Sequence, residues 1–237
     1  MAGLEEITAV ILAGGMGTRL REVVSDRPKV LAEINGRPFL FFLLDCLADV
    51  GIRRVVFCTG YMSEMILDVF GDGYRNMSLL YSRENTPLGT GGALRLALPL
   101  INSDPVLVMN GDSFCDVDLA LFAGQHQASV AQASLVLVQV ADVTRYGAVD
   151  VDSAYKVISF REKGNQSGTG MINAGIYMIA KRVIESIPSD IPVSLERDIF
   201  PKMIGNGLYA PSYNSSFIDI GVPSDYYAAS VFFADRN

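Results

Sequence analysis

The chain has 237 residues, half of them hydrophobic, enough to bury one sizeable core with a smaller lobe but not several full domains. Its formal charge of −7 excludes a nucleic-acid-binding surface, where Lys and Arg must neutralise phosphates, so any anionic ligand has to be met by a local basic cluster. Cys46, Cys58 and Cys115 lack C-x-x-C spacing and His126 is the one histidine, which leaves neither a zinc site nor a histidine-based triad.

The three thiols read as reduced, in a cytoplasmic protein. Residues 1–8 hold two acids and no basic residue, so they lack the charged start of a signal peptide. No apolar run reaches the roughly 18 residues of a membrane span. The expectation is a soluble, unexported chain with no membrane partner.

Residues 7–12 form a short, β-branched apolar run that reads as a buried strand. It runs into Gly14, Gly15 and Gly17, whose backbone freedom lets successive N–H groups converge on an anion. Arg19 adds a planar fork of donors suited to phosphate oxygens. Two familiar phosphate loops are excluded: Leu20 stands where G-x-G-x-x-G needs its last glycine, and no Gly-Lys-Ser or Gly-Lys-Thr occurs. Residues 39–50 repeat apolar positions at helical spacing and stop at Gly51. Residues 54–59 read as a strand, 63–70 as a helix with Ser63 as N-cap, and 79–82 as a strand. A helix over 90–98 is entered through glycines, and a strand over 105–109 delivers Asn110-Gly111-Asp112.

The polar run Gly124-Gln125-His126-Gln127 predicts a solvated helix position for His126. Residues 134–140, 147–151, 157–161 and 172–179 read as strands, and 183–187, 195–203 and 224–233 as helices. This alternation predicts an α/β fold, a Rossmann-like three-layer sandwich around a mainly parallel mixed sheet. Ligands of such sheets bind beyond the carboxyl ends of strands. The glycine loop and Asp112 both sit at such ends, so they are expected to share one crevice.

Seven ordered blocks carry a resemblance to a known family. They are Leu12-Ala13-Gly14-Gly15-x-Gly17-Thr18-Arg19-Leu20 with Pro28-Lys29, then Gly89-Thr90-Gly91-Gly92-Ala93, Asn110-Gly111-Asp112-Ser113-Phe114, Tyr146-Gly147-Ala148-Val149, Glu162-Lys163, Ile172-Asn173-Ala174-Gly175-Ile176-Tyr177 and Phe217-Ile218-Asp219-Ile220-Gly221. Together they resemble the signature of the sugar-1-phosphate nucleotidyltransferases. Val23-Val24-Ser25-Asp26, Asn35-Gly36-Arg37-Pro38-Phe39-Leu40 and Pro223-x-Asp225-Tyr226 are similar to the branch that transfers GMP to manno-configured heptose 1-phosphates for bacterial surface polysaccharides. Val30 departs from the Pro-Lys-Pro of many relatives.

The resemblance implies one catalytic domain without the hexapeptide β-helix repeats that some members append. Its nucleotide-binding half would run to about residue 130, and residues 131–237 would form the sugar-phosphate half. The implied reaction is attack by a sugar 1-phosphate oxygen on the α-phosphorus of a nucleoside triphosphate, expelling pyrophosphate, which demands alignment and charge neutralisation. Arg19, Lys29 and Asp112 would be catalytic, and Asp112 and Asp219 would hold Mg²⁺. Leu12, Gly14, Gly15, Gly17, Thr18, Arg19, Glu84, Gly89 and Gly91 would bind the nucleotide. Glu84 can accept from guanine N1–H and N2–H₂ together, favouring GTP, although the N3–H of uracil or thymine would also satisfy one oxygen. Gly147, Glu162, Lys163 and Asn173 would take the sugar phosphate, with Lys163 on the phosphate and Glu162 on hydroxyls. The alternatives are a UTP-dependent hexose 1-phosphate enzyme and a non-catalytic nucleotide-sugar-binding subunit. The second would be expected to lose an arginine, lysine or metal aspartate, and none is missing.

Overall fold

A computed structural model of the protein describes residues 4–15, 17–161 and 167–234. In chain order the first half supplies β1 (Thr8–Leu12), a small hairpin of β2 (Glu33–Ile34) and β3 (Arg37–Pro38), α1 (Leu40–Asp49), β4 (Arg54–Thr59), α2 (Ser63–Phe70), β5 (Gly73–Tyr74), β6 (Met77–Arg83) and α3 (Gly89–Ala97). The second half continues with β7 (Val106–Asn110), β8 (Ser113–Cys115), α4 (Leu119–Ala128), β9 (Ala133–Val140), β10 (Ala148–Val151), β11 (Val157–Arg161) and β12 (Gly170–Ile179). It ends with α5 (Lys181–Glu185), β13 (Leu208–Tyr209), β14 (Ser212–Tyr213), β15 (Phe217–Asp219) and α6 (Pro223–Phe232).

Among the described residues one sheet runs β13-β9-β12-β7-β1-β4-β6-β5, with β14 beside β9. Its centre, β7-β1-β4-β6, is parallel, and β12 joins antiparallel to β7 and β9. Because successive side chains of a strand face opposite ways, a sheet covered on both faces needs strands that are apolar throughout. β1 meets that requirement: Ala9 and Ile11 enter one buried cluster and Val10 the other. Residues of α1, α2, α4 and α6 complete the first cluster, and residues of α3 and α5 the second, which gives the three expected layers. Phe233, just past α6, stacks on Phe42 at 4.0 Å between centroids and meets the edge of Phe114 at 5.0 Å, so the last helix is pinned across α1 and β8. Such pairs add about 0.5–1.5 kcal/mol each beyond the buried area.

The chain leaves β1 for β4 and β6 on one side, then returns to place β7 on the other. That reversal is a topological switch point, and it opens the crevice beyond Leu12 and Asn110.

Three local expectations change. Ser63 is the first helical residue of α2 rather than its N-cap; Met62 holds the cap position with φ 55°, and the Ser63 hydroxyl bonds the Glu64 carboxylate. Residues 195–203 are not one helix but a π turn (Leu195–Ile199) followed by a 3₁₀ turn (Phe200–Met203). Pro201 has no N–H to extend an α-helical ladder there.

His126 is buried, not solvated. Leu119, Phe122 and His126 are the buried residues of α4, a helical stripe that the polar neighbours of His126 obscured. Its Nδ1 pairs with Ser134 Oγ at 2.8 Å, and burial holds the imidazole below its ordinary value, against a smaller opposing pull from Asp104. A histidine with a depressed folded pKa binds its proton more readily in the unfolded chain, so folding stability falls as pH drops below about 6.5 towards that lower value. The slope it contributes is at most about 1.4 kcal/mol per pH unit. Chemical denaturation of wild type and His126→Gln between pH 7.5 and 5 should show the wild type losing more stability, and parallel curves would remove the histidine from that account.

Candidate active site

Lys29 starts the 3₁₀ turn after the glycine loop, with Pro28 before it and the buried Val30 and Leu31 after it. The loop folds directly over it: Gly17 takes φ +60°, and a Cβ there would lie 3.2 Å from Lys29 Cβ. From this position Nζ donates to the Asp112 carboxylate, with 13% of the lysine side chain exposed. Asp112 follows β7 at the switch point. Antiparallel pairing of β8 with β15 sets Ser113 opposite Asp219, and the Ile220 N–H donates to the Asp112 carbonyl at 3.0 Å. The two aspartates are thereby fixed beside each other by backbone pairing.

Asp219 Oδ1 accepts from the Gly221 N–H at 2.7 Å. Burial, and then the negative charge of Asp112, push the Asp219 carboxyl above its ordinary value, while Lys29 pulls it down. Two neighbouring carboxylates that feel each other's charge, one of them paired with Lys29, make an oxygen donor set suited to a hard divalent cation that also binds phosphate oxygens.

Two cavities meet at Asp112. The first, about 410 Å³, is lined by Leu12, Gly14, Gly15, Gly17, Thr18, Lys29, Glu84, Gly89, Thr90, Asn110 and Asp112, among others. The second, about 1040 Å³, is lined by residues that include Asn110, Asp112, Tyr146, Gly147, Asn173, Tyr177, Glu196 and Asp219. Asn110 and Asp112 line both.

Glu84 follows β6, and its Oε2 accepts from the Leu88 N–H at 3.0 Å. Its Oε1 lies so close to the glycine loop that a Cβ on Gly14 would come within 2.8 Å of it. Burial raises the Glu84 carboxyl and the Leu88 N–H lowers it.

Most residues singled out from the sequence therefore converge on the crevice, but two lie outside the lining. Arg19 sits on the exposed turn after the glycine loop. Gly91 is buried in α3, and its N–H goes to the Val193 carbonyl at 2.8 Å, so the lack of a side chain serves helix packing there. Glu162 and Lys163 lie outside the described residues.

The structure adds a network that no local spacing announces. Glu196 Oε2 accepts from Thr90 Oγ1 and Ser194 Oγ, each at 2.8 Å, and Glu196 Oε1 accepts from the Tyr177 hydroxyl at 3.1 Å. Asn173 Nδ2 donates to that hydroxyl at 2.9 Å. Helix α3 beside the first cavity is thus tied to strand β12 beside the second.

A glycine loop, a lysine and paired aspartates at the switch point of a three-layer α/β sheet define a protein built to handle a phosphorylated nucleotide. The chain belongs to the nucleotidyl transferase family, whose model matches residues 8–236. It is 38% identical over 219 residues to the D-glycero-alpha-D-manno-heptose 1-phosphate guanylyltransferase of Campylobacter jejuni, covering 92% of this chain and 96% of that protein. The protein of the same name from Aneurinibacillus thermoaerophilus is 39% identical, with 92% and 94% covered. The crystal structure of HddC from Yersinia pseudotuberculosis complexed with GMP-PN superposes with a TM-score of 0.85 at 40% identity, covering 96% of this chain and 99% of that one.

Proposed function

We propose that the chain transfers GMP from GTP to the phosphate of a manno-configured sugar 1-phosphate, D-glycero-α-D-manno-heptose 1-phosphate in the first place, and releases pyrophosphate. The observation that carries this reading is the meeting of a glycine-lined cavity and a larger cavity at Asp112, with Lys29 and Asp219 beside it. The similarity to the two heptose 1-phosphate guanylyltransferases and to the GMP-PN complex favours guanine and heptose. Among the described residues no helix is long and apolar enough to cross a membrane. A cytoplasmic role in nucleotide-sugar synthesis for surface polysaccharide accords with these features.

The proposed roles draw on where the described residues lie and, for Glu162 and Lys163, on family likeness alone. Gly14, Gly15, Gly17 and Thr18 cradle the triphosphate with backbone N–H groups, while Arg19, at the exposed edge, meets its outer oxygens. Lys29 neutralises charge on the phosphates as the α–β bond breaks. Asp112 and Asp219 would hold Mg²⁺, which supplies further charge neutralisation when bound. Gly147 and Asn173, with Glu162 and Lys163, bind the acceptor.

The test is a pyrophosphate-release assay over four triphosphates and several sugar 1-phosphates, including mannose 1-phosphate and the heptose compound. GTP with the heptose 1-phosphate should give the highest kcat/KM. Glu84 sharpens the test, because its carboxylate can accept from two guanine donors. An unpaired polar group in the base site costs about 1–3 kcal/mol, so GTP should exceed ATP and UTP by roughly tenfold or more. Glu84→Gln turns a donor towards guanine and should narrow that preference. An unchanged ranking in the folded variant would take base recognition away from Glu84.

A further inference from the structure

The side-chain carbonyl of Asn110 is buried and has no hydrogen-bond partner in the protein. Asn110 closes β7, two residues before Asp112. Its amide is turned towards β12, where a Cβ on Gly175 would fall 2.6 Å from Asn110 Nδ2. Gly175 takes φ +77° inside the register shift between Asn173 and Tyr177. That irregularity gives the amide its room. Asn173, Gly175 and Tyr177 line the larger cavity and not the smaller one, and Asn110 lines the larger cavity with them, so the tip of its side chain lies on the acceptor side.

Hydrogen-bond accounting settles which end of the amide is free. Tyr177 has one O–H, and it goes to Glu196 Oε1 at 3.1 Å. Its oxygen can therefore only accept, which it does from Asn173 Nδ2 at 2.9 Å, and the Asn110 side chain next to it can meet it favourably only with its N–H. Turning the Asn110 amide over would set its carbonyl against a phenol lone pair. The Asn173 carbonyl is already occupied, accepting from the Gly175 N–H at 2.9 Å. Asn110 Oδ1 is thus an unfilled acceptor, held by a relay that runs from Glu196 through Tyr177.

The ligand atom that fills it must be a donor. Ionised phosphate oxygens only accept, whereas a sugar hydroxyl donates. With the transferring phosphate at Asp112, as in the proposed function, the hydroxyl that falls to Asn110, two residues away, is the one on the carbon next to the anomeric centre. We infer that Asn110 Oδ1 accepts a hydrogen bond from the 2-hydroxyl of the acceptor sugar, with Tyr177 and Glu196 as positioning residues for its amide. The inference rests on reading the chain as a sugar-1-phosphate nucleotidyltransferase. Manno and gluco sugars differ at that carbon, so this contact bears on acceptor choice.

The experiment compares kcat/KM for D-glycero-α-D-manno-heptose 1-phosphate and its 2-deoxy analogue, with GTP and Mg²⁺, in three proteins. Wild type should favour the 2-hydroxyl compound by about tenfold or more, the range set by leaving one acceptor unpaired. Asn110→Leu keeps the branched shape, deletes both polar ends and should use the two acceptors equally. Tyr177→Phe frees the amide to turn over and should narrow the preference, which gives a second reading if Asn110→Leu does not fold. The ratio of GTP to 2′-deoxy-GTP and 3′-deoxy-GTP should be unchanged by either substitution. A wild type indifferent to the 2-hydroxyl, a folded variant that keeps the full preference, or a change that follows the ribose hydroxyls instead would overturn the assignment. Absence of pyrophosphate release by wild type with every sugar 1-phosphate would overturn the activity itself, a failure distinguishable from the others.

Discussion

Asp219→Asn is expected to lower kcat by about a hundredfold or more, the scale of removing one organised charge stabiliser, while the protein becomes more stable. Both effects have one cause. The folded structure pushes the Asp219 carboxyl above its ordinary value, through burial and then through the charge of Asp112. A carboxyl with a raised folded pKa holds its proton more tightly folded than unfolded, so its ionisation costs stability as pH rises above the unfolded value. Asparagine cannot ionise and can still accept from the Gly221 N–H, a bond of 2.7 Å in the wild type, so the turn after β15 is kept. Thermal melts should show the variant above wild type at pH 7, with the gap closing towards pH 3.5. Asp112→Asn should lose at least as much turnover, because it also gives up the ion pair with Lys29. Near-normal kcat at limiting Mg²⁺ in a folded Asp219→Asn protein would defeat the two-aspartate assignment.

The parts legible in the sequence were those written as local pattern. β4 lies at Arg54–Thr59 and β11 at Val157–Arg161, as their apolar, β-branched runs require, and α1 ends before Gly51 at φ +87°. The convergence of the glycine loop on Asp112 was legible because both end strands, and strand ends at a switch point share a crevice. His126 was misread because Gln125 and Gln127 on either side of it hide a buried stripe whose members are three and four residues apart. Asn110, Thr90, Tyr177 and Glu196 were not legible as a unit. They are brought together by the pairing of β12 with β7 and by the return of residues 193–196 over α3, contacts that no local spacing encodes.

Lys29→Met should separate charge from packing at the donor end of the crevice. The aliphatic stem of Lys29 is packed under the glycine loop, where a Cβ on Gly17 would come within 3.2 Å of Lys29 Cβ, and methionine can fill that space. What it removes is the ammonium that pairs with Asp112 and pulls on the charge of Asp219. The ground-state complex keeps the backbone cradle of the loop, so triphosphate binding should weaken only moderately. The breaking α–β bond loses a charge that matters most as negative charge develops on the leaving pyrophosphate, so kcat should fall by about a hundredfold or more. Lys163→Ala, assigned to the acceptor phosphate by family likeness, should instead raise KM for the sugar 1-phosphate with a smaller change in kcat. Steady-state kinetics with each substrate varied in turn distinguish the two patterns. If Lys29→Met raises the sugar-phosphate KM alone and leaves kcat intact, its ammonium serves the acceptor, and the donor-side role must be sought at Arg19.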